Sequence, residues 1–179
     1  FATTLLIIFS LNLLAQKIKE TFDNHPIAGG KKFQLWFEPG KFLVSECGYL
    51  LTEVTVMKET AAATFAAVDS GLNHLIRPMM YDAYHHINNI SNPAGKLKSY
   101  TVTGNICETD TFAANREINE IREGDYLAFL NAGAYGFEMA SNYNARFKPA
   151  EVMIKNGKAQ LIRKRDDIND LLKNQVELQ

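Results

Sequence analysis

Three stretches of the sequence carry side chains able to do chemistry. Arg77 sits in Leu75-Ile76-Arg77-Pro78, an apolar setting for a guanidinium, and Tyr81-Asp82-Ala83-Tyr84-His85 follows shortly after. A guanidinium withdrawn from water needs a partner, so Arg77 faces either a structural carboxylate, the commoner case, or a bound anion. Cys107 lies between the apolar Ile106 and Glu108. A single cysteine is usually an inert small hydrophobe, yet a thiol with an ordinary pKa of ~8.5 keeps its proton at neutral pH and can donate it inside a cleft. Asn131-Ala132-Gly133-Ala134-Tyr135-Gly136 brackets a tyrosine with two glycines. Those glycines either make simple turns or let the backbone approach a ligand that the phenol faces.

Other chemistries find no support. His74, His85, His86 and Cys107 match no tight metal-ligand spacing, and the neighbours His85 and His86 would point to opposite faces of a strand, so no metal site is expected. Neither a Gly-x-Ser-x-Gly elbow nor a Walker phosphate loop occurs. The 179 residues carry 19 basic and 20 acidic side chains, too balanced for the basic field that nucleic-acid binding requires. With 46% apolar residues the chain has ordinary globular composition. At that length it can bury roughly 70% of its unfolded surface without metal or disulfide support. Two cysteines are too few for a disulfide framework, which favours a reducing, cytoplasmic setting. The apolar opening Phe1 to Ile8 breaks at Ser10 and Asn12 and turns charged by Lys17, short of the ~20 residues a membrane helix needs. It lacks a basic n-region and a small-residue cleavage site, and the chain does not begin with Met. The expectation is a chain that starts partway through a larger protein.

The elements that must position these groups follow from periodicity. Leu11, Leu14, Ile18 and Phe22 form one stripe of an amphipathic helix, expected to be buried. A loop with Pro26 and Gly29-Gly30 follows, and then Phe33 to Phe37, which reads as a buried strand stopped by Glu38-Pro39-Gly40. Beyond Lys41, short β-rich runs recur at Phe42 to Ser45, Leu50 to Met57, Phe65 to Val68, Tyr100 to Thr103, Tyr126 to Leu130, Val152 to Lys155 and Ala159 to Arg163. The pattern predicts a mainly β domain over 41–179, an antiparallel sandwich or barrel with short helices, after a separate helix and strand within 1–40. Asn156-Gly157 suits a two-residue type I′ turn, pairing Lys155 with Lys158, Ile154 with Ala159 and Val152 with Leu161. Ile168, Leu171 and Leu172 behind an Asp cap predict a short closing helix.

Taken in order, Glu38-Pro39-Gly40-Lys41, Asp69-Ser70-Gly71-Leu72-Asn73-His74-Leu75-Ile76-Arg77-Pro78, Tyr81-Asp82-Ala83-Tyr84-His85, Cys107-Glu108, Asn131 to Gly136 and Ser141-Asn142-Tyr143-Asn144-Ala145-Arg146 resemble the diaminopimelate decarboxylases, pyridoxal-phosphate enzymes of the alanine-racemase-like barrel group. The resemblance runs from about Gln34 to Leu172. It implies that residues 1–40 are the last helix and strand of a TIM-like barrel and that 41–179 are the C-terminal β domain. It implies pyridoxal 5′-phosphate beside Glu38, Pro39, Gly40 and Tyr135, and a substrate held by Lys41, Arg77, Tyr81, Glu108 and Tyr135. Cys107 would be the proton donor, reaching with Glu108 into the partner subunit's site of a homodimer. The reaction implied is conversion of meso-2,6-diaminopimelate to L-lysine and carbon dioxide. A substrate whose far end bears both an ammonium and a carboxylate calls for an anion and a cation together, which Glu108 and Arg77 would supply. Simple diamine precursors would leave that arginine unpaired. The family usually has Arg where this chain has Lys41, which keeps the charge but loses the bidentate fork. The Schiff-base lysine and glycine-rich phosphate loop of the family belong to the barrel, so this chain alone is expected to be inactive. The alternatives are a related ornithine, arginine or carboxynorspermidine decarboxylase, and a non-catalytic β module for dimerisation.

Overall fold

A computed structural model describes residues 11–25 and 34–177. Contacts divide the chain between Glu38 and Pro39, and the two units are described separately. In the first, helix α1 spans Leu11–Asp23 as its periodicity predicts, but none of its residues is buried. Leu11 and Phe22, on the stripe expected to be covered, are 57% and 40% exposed. The loop at Pro26 to Gly30, the opening stretch Phe1 to Ser10 and Phe33 itself lie outside the described residues. Gln34 to Phe37 form no strand, contrary to the sequence reading, and Trp36 is 86% exposed. A strand exists only where another edge takes up its N–H and C=O groups. Among the described residues none does.

The second unit opens with helix α2 (Gly40–Val44) and a 3-10 turn over Ser45–Cys47, where a β run was expected. Four residues cannot distinguish a period of 2 from one of 3.6. The decision falls to Pro39, whose φ of −80° orients its carbonyl to accept the N–H of Leu43 at 3.1 Å. Six strands then form one sheet: β1 (Leu50–Glu59), β2 (Thr64–Val68), β3 (Ile87–Asn89), β4 (Leu97–Thr103), β5 (Thr111–Asn119) and β6 (Tyr126–Phe129), in the order β3-β6-β1-β2-β4-β5. All pairs are antiparallel except β2 with β4, a parallel pairing that corrects the purely antiparallel reading. The sheet curls until β3 meets β5. There Arg116 Nη1 donates to the His85 carbonyl at 3.0 Å and Asn89 Nδ2 to the Glu120 carbonyl at 2.8 Å, nearly closing a barrel. Its core is Val54, Val68, Leu75, Val102, Ile118, Leu127 and Phe129 with Phe112, whose ring lies 4.8 Å from that of Phe129 at 59°.

Strands β7 (Glu151–Lys155) and β8 (Lys158–Arg163) form a separate hairpin in the register read from the sequence, with Lys155 opposite Lys158, Ile154 opposite Ala159 and Val152 opposite Leu161. Asn156 (φ 52°) and Gly157 (φ 72°) supply the two left-handed positions that the turn requires. Helix α4 (Ile168–Leu172) is capped by Asp167, whose Oδ1 accepts the N–H of Asn169, while Asp170 Oδ2 accepts that of Asp167.

Two backbone hydrogen bonds tie the segment after α2 to the loop after β6. Gly133 donates its N–H to Ser45, and Ala132 donates to Gly48 at 2.9 Å. A Cβ on Gly133 would lie 2.0 Å from the Val44 carbonyl oxygen and 2.8 Å from the Gly48 nitrogen. Gly133→Ala should therefore destabilise the protein by about 3 kcal/mol. Denaturant titration measures this, and an unchanged midpoint would mean that the two segments can part at little cost.

Candidate functional site

After β2 the chain is pinned before it reaches Arg77. Asp69 Oδ1 accepts the N–H of Glu53 at 2.9 Å, and Leu75 is fully buried. His74 Nε2 faces the Phe147 carbonyl at 2.9 Å and therefore carries the proton, so Nδ1 accepts from the buried Ser70 hydroxyl at 3.0 Å. The one-turn helix α3 (Arg77–Tyr81) has Pro in its first turn and ends on Asp82 in the left-handed region (φ 52°). Residues four apart share a helix face. The Arg77 guanidinium accordingly lies 5.5 Å from the centroid of the Tyr81 ring and also 5.5 Å from that of Tyr135. Among the described residues no carboxylate pairs with Arg77. Of the two partners its sequence setting allowed, the structural carboxylate is not the one found.

Tyr135 reaches this place on a strained backbone. Its φ of 59° puts an aromatic residue in the left-handed region, at a cost of about 1–3 kcal/mol. Gly136 beside it has no room for a side chain, since a Cβ would lie 2.3 Å from the Ala132 carbonyl oxygen. Lys41, on α2, has its Nζ 3.5 Å from Ser45 Oγ. Lys41, Arg77 and Arg116 all act electrostatically on His85, which is 4% exposed. His85 Nδ1 faces the Leu130 carbonyl at 2.8 Å and so carries the proton, while its buried Nε2 has no partner among the described residues. Burial pushes the His85 pKa down, and the three cations push the same way.

The segment between β4 and β5 holds the second group. Asp110 is 5% exposed, and its carboxylate accepts the N–H groups of Leu72 at 2.7 Å and Ile106 at 2.9 Å. Asn105 donates its N–H to the Ser70 carbonyl at 3.0 Å. Burial raises the Asp110 pKa, against the pull of these two backbone donors. The loop is thus clipped to the Gly71-Leu72 segment, with Ile106 as its buried anchor and Cys107 and Glu108 exposed. The Cys107 thiol donates to Glu108 Oε2 at 3.4 Å, and the Tyr143 hydroxyl donates to Glu108 Oε1 at 2.5 Å. Both bonds hold the Glu108 carboxyl below its ordinary pKa, the Tyr143 bond foremost.

Of the residues singled out from sequence, Arg77, Tyr81 and Tyr135 come together, Lys41 lies beside Ser45, and Cys107 and Glu108 form a group of their own. No hydrogen bond, ion pair or ring contact among the described residues links the two groups within one chain. Pro39 and Gly40 are exposed at the start of α2, and Glu38, in the other unit, is exposed as well. Sequence reasoning missed Asp110, the unpartnered Nε2 of His85 and the role of Tyr143. The last was visible as part of Ser141 to Arg146, although nothing in that motif names Glu108 as its partner.

Residues 41–133 match the family model of the pyridoxal-dependent decarboxylase C-terminal sheet domain. The chain belongs to this family. Among curated decarboxylase relatives, the diaminopimelate decarboxylase of Methanothermobacter thermautotrophicus is 47% identical over 140 residues, covering 77% of this chain and 32% of its own length. That of Aquifex aeolicus is 40% identical over 166 residues, covering 92% of this chain and 38% of its own. The crystal structure of diaminopimelate decarboxylase from Helicobacter pylori complexed with L-lysine superposes with a TM-score of 0.78 at 34% identity, over 92% of this chain and 39% of that one. This chain spans about a third of the length of the curated decarboxylases it matches. The ordered motifs therefore identified the family, and the mainly β fold of its C-terminal portion, correctly. For the cofactor that names the family, Tyr135 fits: an exposed phenol held on a strained backbone beside the Arg77 guanidinium.

One buried histidine, His85, and one half-buried histidine, His74, give this decarboxylase domain a definite acid response. Burial is the largest cause of the lowered pKa of both His74 and His85, each starting from 6.5. A group depressed in the folded state contributes stability above its unfolded pKa and loses it as pH falls through the folded value. The melting temperature should be steady above pH 7 and fall on acidification below 6.5. His74→Gln should flatten part of that fall, and an equally steep fall in the variant would exclude His74 as a source.

Proposed function

We propose that the complete protein is a diaminopimelate decarboxylase, releasing carbon dioxide from meso-2,6-diaminopimelate to give L-lysine, and that this chain carries its substrate clamp and proton donor. The observation that carries the reading is Arg77, set between the Tyr81 and Tyr135 rings with no carboxylate of its own among the described residues. A substrate carboxylate completes it. Glu108, held ionised by Tyr143, takes the substrate ammonium. Lys41 adds a second positive charge, and Tyr81 and Tyr135 flank the bound molecule.

Pyridoxal 5′-phosphate, when bound, supplies the electron sink that makes loss of carbon dioxide feasible. Glu38, Pro39, Gly40 and Tyr135 would hold it from this chain's side, and the barrel would provide the anchoring lysine. Cys107 then gives its proton to the carbon that lost carbon dioxide. The S–H bond breaks, a C–H bond forms, and the thiolate regains a proton from water. In this reading the site is shared in a homodimer, with Cys107 and Glu108 of one subunit serving the Arg77 group of the other. The cytoplasm, with its reducing conditions, suits two exposed free thiols.

The experiment is carbon dioxide release by the complete protein with diaminopimelate, ornithine, arginine and carboxynorspermidine. Release from diaminopimelate alone is expected. Preference for a substrate without the second carboxylate would transfer the assignment to the related decarboxylases, and no turnover of any would favour the non-catalytic β module.

A further inference from the structure

Tyr143 stands on an unusually well-braced turn for an exposed residue. The 3-10 turn Tyr143–Ala145 contains two consecutive non-glycine residues in the left-handed region, Asn144 (φ 55°) and Ala145 (φ 54°). Its flanks are tied to three other segments. Ser141 donates its N–H to the Asn73 carbonyl at 2.8 Å, in the stretch leading to Arg77. Asn142 Nδ2 donates to Asp166 Oδ2 at 2.9 Å, and Arg146 Nη2 donates to the Asn105 carbonyl at 3.1 Å, in the loop that carries Cys107. The turn and that loop are therefore one braced unit. From it the phenol reaches Glu108 Oε1.

An ionised carboxylate offers about four lone-pair directions on two oxygens. The Tyr143 hydroxyl occupies one on Oε1 and the Cys107 thiol one on Oε2. The Glu108 backbone N–H also bonds its own carboxylate, which leaves about one of the four directions open, enough for an ammonium to bind while the thiol remains in place. Resting on the reading above, we propose that Tyr143 is a positioning residue for decarboxylation: its hydroxyl fixes the Glu108 carboxylate so that one group holds the Cys107 thiol and the substrate ammonium together. Without the phenol hydroxyl the carboxylate is free to rotate on its stem, and both partners lose their common reference. The same bond is the largest cause of the lowered Glu108 pKa and raises that of Tyr143.

The test is Tyr143→Phe in the complete, pyridoxal-phosphate-loaded protein, beside Glu108→Gln and Cys107→Ala. Loss of one hydrogen bond to a charged group should raise KM for diaminopimelate about tenfold and move the acid limb of kcat/KM to higher pH. Cofactor absorbance should be unchanged. In the Glu108→Gln background, Tyr143→Phe should add little, because the two residues act as one unit. An unmoved pH limb in Tyr143→Phe, with or without a lower melting temperature, overturns the positioning role if Glu108→Gln is itself impaired. Wild-type kinetics in Glu108→Gln and Cys107→Ala would instead sink the underlying reading of the site.

Discussion

Replacing Cys107 with alanine in the complete protein should lower kcat by about 10²-fold or more while leaving KM within a few-fold of the wild type. The carbon that loses carbon dioxide must gain a proton, and water can deliver one only without the orientation that a fixed donor provides. Cys107 has that fixity. Its loop is clipped by Asp110 to Leu72 and Ile106, and its thiol is held by Glu108. It is also exposed, so truncation leaves no internal cavity and the melting temperature should hardly change. Steady-state carbon dioxide release and a thermal melt measure both halves of the expectation. A variant with undiminished turnover would make Cys107 a spectator and favour the β module without catalysis.

Arg77→Ala should lower kcat/KM for diaminopimelate by about 10²-fold to 10⁴-fold, because an anion placed where Arg77 stands would lose a charge-assisted pair and meet only tyrosine rings. Folding should suffer little. Arg77 has no carboxylate partner among the described residues, so its removal strands no buried charge there. The loss is limited to two ring contacts worth about 0.5–1 kcal/mol each. Arg77→Lys should recover only part of the rate, since an ammonium lacks the planar fork. Discrimination against ornithine should also weaken, because the unpaired guanidinium that penalises it is gone. A variant with wild-type kcat/KM but a much lower melting temperature would show that Arg77 is structural.

What was legible in the sequence was what neighbours along the chain determine. The β7–β8 register follows from Asn156 and Gly157 alone, because a two-residue turn permits one pairing of the flanking strands. Helix α1 and the Asp167 cap of α4 are likewise local, set by side-chain period and by a carboxylate two residues from the N–H it accepts. The ordered motifs named the family because their spacing survives in the chain itself.

Only the tertiary structure decided the rest. Strand β5 escaped the sequence reading because Ala113, Ala114, Asn115 and Glu117 carry little β propensity, and its ladder with β4 is what makes it a strand. Phe42 to Ser45 became helical through the carbonyl of Pro39. Gln34 to Phe37 stayed irregular for want of an edge. The site depends still more on distance along the chain: Tyr143 meets Glu108 across 35 residues and Leu72 meets Asp110 across 38. Residue type shows that such groups need partners. Which partners they find depends on how the closed sheet brings remote loops together, and no local pattern encodes that.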